Sequence, residues 1–147
     1  MDEDLDMDPE RQALERVIGL LGPLRQHRQA SAERARARLA REVARLREQL
    51  LASESSMNQE RTNQKRKRRS LADTHLQTTL ELADIDRWHE KERRMLDRLA
   101  QIRQDVSQLR LHIEAQEQSL QQAQLDAKAR QRAVEKLACM SETLSEE

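Results

Sequence analysis

The sequence predicts an all-α fold, an antiparallel two-helix coiled-coil hairpin, and three observations carry that expectation. Residues seven apart from Ile85 read Ile85, Glu92, Leu99, Val106, Ile113, Leu120, Ala127, Val134, and the interleaved series reads Trp88, Met95, Ile102, Leu109, Gln116, Ala123, Arg130, Leu137. These are a and d positions of a heptad, with only Glu92, Gln116 and Arg130 plainly polar; a repeat of 3.5 draws a stripe too narrow for a globular core and suited to a partner helix. Neither Gly nor Pro occurs after Pro23, so the chain carries no strong breaker from there on. Two capping-box starts, Ser70 with Asp73 and Thr78 with Glu81, fall near the middle of the helical stretch, where a reversal would leave two helices of matched length. One competing pattern keeps an alternative open. The phase of Val43 and Leu50 also falls on Leu71, Ile85 and Leu99, as it would in a single long helix of a parallel dimer.

Composition agrees with a thin structure. Of 147 residues, 36% are hydrophobic and 37% charged, with no Phe or Tyr and one Trp, against roughly 45 to 50% apolar in ordinary globular domains. Lys plus Arg and Asp plus Glu balance at 27 each, so no overall field drives the chain onto nucleic acid or lipid. The one cysteine, Cys139, excludes an internal disulfide and falls on an outer heptad position. The longest apolar cluster, Val17 to Leu21, is far short of the ~20 residues of a membrane span. The expectation is a cytoplasmic protein without direct membrane insertion.

Taken in order, residues 1–8 (MDEDLDMD) form an acidic tail expected to be disordered. Helix 1 is predicted over 9–70: Asp8 can accept from free backbone N–H groups, and Pro9 at the first position lacks an N–H that would go unpaired. Leu14, Val17, Ile18, Leu21 and Leu24 make the densest apolar cluster, interrupted by Gly22 and Pro23, where a kink or short break is expected at 22–23. The stripe resumes as Leu39, Val43, Leu46 and Leu50. From Ser53 it weakens, because Ser53, Glu60, Gln64 and Lys67 occupy seam positions with only Met57 apolar among them. The turn is expected within 71–83, helix 2 over 84–142, and a flexible tail over 143–147.

The run Lys65, Arg66, Lys67, Arg68, Arg69 has the composition of a DNA-binding basic region. No leucine repeat follows it, since the next d positions are Thr74 and Glu81, so the expectation is no nucleic acid. No Gly-rich phosphate loop is present, His27, His75, His89 and His112 are scattered, and no Cys or His lies at metal-ligand spacing. Glu90 with Arg94 and Asp126 with Arg130 lie at i,i+4 and read as helix support. The chain is read as a non-enzyme without cofactor. On residues alone, a generic dimeric coiled-coil scaffold or a basic-region nucleic-acid-binding protein stands as the alternative.

The segments RQHRQASAERA (25–35), DIDRWHEKERRMLDRLAQIRQDV (84–106) and QRAVEKLACMSETLSEE (131–147) resemble the HrpO coiled-coil proteins of plant-pathogen type III secretion systems, and more distantly the YscO and FliJ stalk proteins. The run Asp84, Ile85, Asp86, Arg87, Trp88 is the most specific part. This resemblance implies an antiparallel hairpin entering the pore of a hexameric type III secretion ATPase. It also implies contacts with the export gate protein, the ATPase stator protein and, in some members, secretion chaperones. On that basis Leu14, Val17, Ile18, Leu21, Val134 and Leu137 are the expected ATPase-binding residues. Ile85, Trp88 and Lys65 to Arg69 are the expected tip contact, with an aromatic supplying buried area and the cations orientation.

Overall fold

The computed structural model describes residues 8–77 and 81–146. Two helices account for them, α1 (Pro9–Gln77) and α2 (Leu82–Glu146), and they pack against each other as an antiparallel hairpin. A single unbroken helix is therefore not what forms. Asp8 starts α1 as expected: its Oδ1 accepts from the Glu10 N–H at 3.0 Å and its carbonyl from the Gln12 N–H at 3.0 Å. At the start of α2 the Glu81 carbonyl accepts from the N–H groups of Asp84 (3.0 Å) and Ile85 (3.3 Å), and Asp84 in the first turn complements the helix dipole.

Three boundaries differ from the sequence expectation. Helix α1 runs to Gln77 rather than 70, since Leu71 is half-buried in the seam and the Thr74 hydroxyl donates back to the Ser70 carbonyl at 2.8 Å, so Ser70 continues the helix instead of capping a new one. Helix α2 begins at Leu82, which confines the reversal to a few residues; Thr78 lies outside the described residues, as do positions 1–7 of the acidic tail. At the far end of α2 the predicted flexible tail is helical to Glu146. Thr143 and Ser145 donate to the carbonyls of Cys139 and Glu142 (both 2.9 Å), and the Arg11 guanidinium from α1 bonds the Leu144 carbonyl. No break occurs at 22–23: Pro23 sits exposed inside α1. Proline deprives the Gly19 carbonyl of its helical donor, and packing on both sides of that point keeps the helix going.

The chain divides into two compact units, Met1–Val43 with Gln116–Glu147, and Ala44–Ala115. In the first unit Ala32, Val43, Ala127 and Leu137 are buried. Its antiparallel register is set by Arg11 on the Leu144 carbonyl and by Arg25 Nη1 on the Ala133 carbonyl at 3.0 Å. In the second unit Leu46, Leu99, Val106 and Ile113 are buried together with the polar Gln64. Its register follows the pairs Glu54–Arg110 (2.8 Å), Glu60–Arg98 (3.5 Å), Gln64–Met95 and Arg68–Glu92.

The α2 heptad is the seam in both units. Each of its a and d positions from Ile85 to Leu137 is buried or half-buried except Arg130, which turns outward to Asp126 at 3.6 Å. Burial of a large aliphatic side chain stabilises by about 1.5–3 kcal/mol, so the alternation of well-filled and polar layers decides where the hairpin is tight.

Candidate docking surfaces

In the first unit, the beginning of α1 and the end of α2 lie side by side. The six residues expected to contact an ATPase are brought together there, although not as one buried cluster. Leu137 is buried at 6% exposure, while Ile18, Leu21 and Val134 are half-buried. Ile18, Gly22, Val134, Leu137 and Ala138 line one shallow groove between the helices. Gly22 brings the α1 backbone close to Leu137, and a Cβ placed on it would stand 4.0 Å from Leu137 Cδ2. Leu14 and Val17 remain 40% and 47% exposed, so the apolar cluster of helix 1 is split between the inter-helix groove and the surface. Arg25 lies half-buried on the inward side instead, because its guanidinium reaches the Ala133 carbonyl. On the other side of the pair, Leu14 lines a second groove with Lys136, Cys139, Met140, Thr143 and Leu144. Leu24 and Met140 are also well exposed, so both helices leave apolar side chains uncovered here.

The second unit carries the expected tip contact. Lys65, Arg66, Lys67, Arg68 and Arg69 are all exposed, and Arg68 is tied to Glu92 of α2 through Nε at 2.9 Å and through Nη2. Ile85 and Trp88 are half-buried. Trp88 stacks obliquely on the exposed His89, with ring centroids 5.1 Å apart and planes at 41°. One helical turn tipward from the Arg68–Glu92 pair, in each helix, the register sets Trp88 level with Leu71 and Ala72, because α1 continues past residue 70. The aromatic thus sits beside an apolar layer with the cationic run next to it along α1.

Sequence reasoning found the i,i+4 pairs Glu90–Arg94 (2.7 Å) and Asp126–Arg130. It missed the pairs that cross between helices. Glu92 and Glu60 read as defects in an apolar repeat, yet each accepts a cation from the facing helix, Arg68 and Arg98. The signal was present as an acid on one stripe and an arginine on the other, and it becomes legible once the register is known. Arg11 and Arg25 were missed for another reason: their acceptors are backbone carbonyls, which no residue type announces.

Among the described residues no group of His, Cys, Asp or Glu is arranged to hold a metal ion, and no helix is long and apolar enough to cross a membrane. Cys139 is exposed. No protein-family model matches the chain, and no curated protein or solved structure is significantly similar to it.

Proposed function

We propose that the chain is a non-catalytic stalk of a type III secretion system that couples the secretion ATPase to the export gate. The stator protein and secretion chaperones are further partners on this reading, and the chain works at the cytoplasmic face of the apparatus. Support comes from one observation above the others. The start of α1 and the end of α2 form a paired helical end on which Leu14, Val17, Leu24 and Met140 stay exposed, and scattered single leucines would not concentrate in this way. Such a pair suits insertion between protein surfaces, with two grooves lined by apolar and small side chains ready to be covered. The chain supplies shape and contact, and hydrolysis belongs to the partner.

The test is binding of the full-length chain to the secretion ATPase of the same apparatus by calorimetry or co-sedimentation. Val17→Glu with Met140→Glu, both exposed in the free protein, should leave helicity unchanged and weaken binding by about tenfold or more, since a charge placed in a desolvated contact costs well over 1.4 kcal/mol. Unaltered binding by this variant would remove the assignment of the terminal unit.

A further inference from the structure

Charge around the turn is sorted into bands. From Ser70 to Asp86 the sequence holds Asp73, Glu81, Asp84 and Asp86 and no Lys or Arg. Immediately behind this acidic cap, residues 61–69 carry Arg61 and the run Lys65 to Arg69 and no acid, while on α2 the stretch 87–98 holds five cations against the acids Glu90, Glu92 and Asp97 and is only net basic. Five consecutive residues at 100° steps spread around a helix rather than along one face. The basic residues are therefore a collar. Arg68 is committed to Glu92, whereas Lys65, Arg66, Lys67 and Arg69 are exposed and make no ion pair among the described residues. The same is true of Asp73 and Asp86 in the cap. Asp73 lies six residues beyond Lys67 on α1, and Asp86 lies six residues before Glu92, the collar's partner, on α2. Both acids are thus on the order of 9 Å nearer the turn than the collar at 1.5 Å per residue.

A nucleic acid or an anionic bilayer would attract the collar and repel the cap. Each presents one sign of charge, and on an end-on approach to a bilayer the cap arrives first. The surface that fits must offer the two bands in reverse order at the same spacing. A second copy of this chain, turned antiparallel so that the two tips overlap, does so by construction: each collar meets the other's cap across a two-fold axis, the isologous arrangement of homodimers. Leu82, 81% exposed beside the cap, supplies apolar area for the contact.

We infer that the acidic cap and basic collar around the turn form a self-complementary surface through which two copies of the chain associate tip to tip. Trp88 and the collar are then covered in the free pair, so a gate partner at this surface competes with the second copy. The association itself depends on nothing in the ATPase reading and stands or falls separately.

Sedimentation velocity of the full-length protein from about 1 to 200 µM at low salt tests it. A reversible dimer is expected, with unchanged helical circular dichroism across the range because each hairpin stays folded. Screening lengths shrink from about 10 Å at 0.1 M salt to about 3 Å at 1 M, so association should weaken at least tenfold between them. The collar variant Lys65→Glu/Arg66→Glu/Arg69→Glu and the cap variant Asp73→Lys/Asp86→Lys should each be monomeric alone and form a heterodimer when mixed. That rescue cannot arise from misfolding of either one. A wild-type chain that is monomeric throughout, a dimer that survives high salt or the collar variant, or a collar variant whose only change is weaker binding to a DNA duplex or to phosphatidylglycerol vesicles would each overturn the inference.

Discussion

Gln64 donates its side-chain Nε2 to the main-chain carbonyl of Met95 at 2.6 Å, from a position only 6% exposed in the seam of the second unit. A buried amide in the seam is tolerated because that bond satisfies one of its donors. The Met95 carbonyl, being inside α2, has a helical donor of its own in the N–H four residues on.

Gln64→Leu removes the amide and leaves that carbonyl satisfied by its helix. A leucine here gains about 1.5–3 kcal/mol of burial and forgoes one hydrogen bond of about 1 kcal/mol. Net stabilisation near 1 kcal/mol is expected in urea unfolding, while Gln64→Ala should destabilise by a similar amount. A leucine variant weaker than the alanine one would show that the bond, rather than the packing, governs this layer.

Gly19 lies inside α1 without positive φ, and a Cβ built on it meets nothing within 4 Å. Glycine in a helix interior costs about 0.8–1 kcal/mol relative to alanine. Gly19→Ala should therefore raise the unfolding midpoint by roughly that free energy, and a loss of stability would reveal a constraint at the Pro23 interruption that the open space does not show.

The free protein should be strongly helical with a broad thermal transition. Ser53, Glu60 and Gln64 hold seam positions on α1 without contributing aliphatic burial, and a two-helix layer has little apolar surplus to offset them. Circular dichroism with a shallow melt and narrow side-chain dispersion in NMR spectra is expected. A sharp, cooperative melt above about 70 °C, hotter than mesophile domains usually reach, is the contrary result.

Trp88→Ala separates an anchor from a filler. On the stalk reading proposed above, and with Trp88 half-buried beside the collar, the variant should weaken binding to an export-gate protein by about 2 kcal/mol, roughly thirtyfold, and leave binding to the secretion ATPase unchanged. Equal loss of both interactions, accompanied by lower helicity, would identify the indole as seam packing alone.

The helices and the α2 seam were legible because their two causes are local: an unbroken helical composition and a 3.5-residue repeat, which suit a hairpin and a single long helix alike. Leu99, Val106, Ile113, Ala127 and Leu137 are buried where the heptad puts them. Less could be read in α1. Its apolar cluster from Leu14 to Leu24 is split, with Leu14, Val17 and Leu24 exposed, and the inward line there runs through Ile18, Leu21, Gly22 and Arg25. A glycine and an arginine do not look like core until the groove beside Leu137 and the Ala133 carbonyl are known. Helix 1 was ended too early, at residue 70, for a related reason. Ser70 and Asp73 offer capping chemistry, but a serine carbonyl that receives a threonine hydroxyl one turn on serves a continuing helix equally well. The tip and terminal surfaces were chosen from residue type and resemblance, and their neighbours across the seam follow from a register that no single stretch of sequence states.

The Arg11 guanidinium on the Leu144 carbonyl makes the last turn of α2 dependent on the first turns of α1. That last turn has no basic residue of its own, so the cation that complements its dipole is delivered from 133 positions away in the chain. A probe on Cys139, the single thiol, exposed and near that turn, consequently reads events at the opposite terminus. Its mobility should rise in Arg11→Ala, and because Cys139 shares a groove with Leu14 of α1, a partner that covers that groove should slow the probe directly.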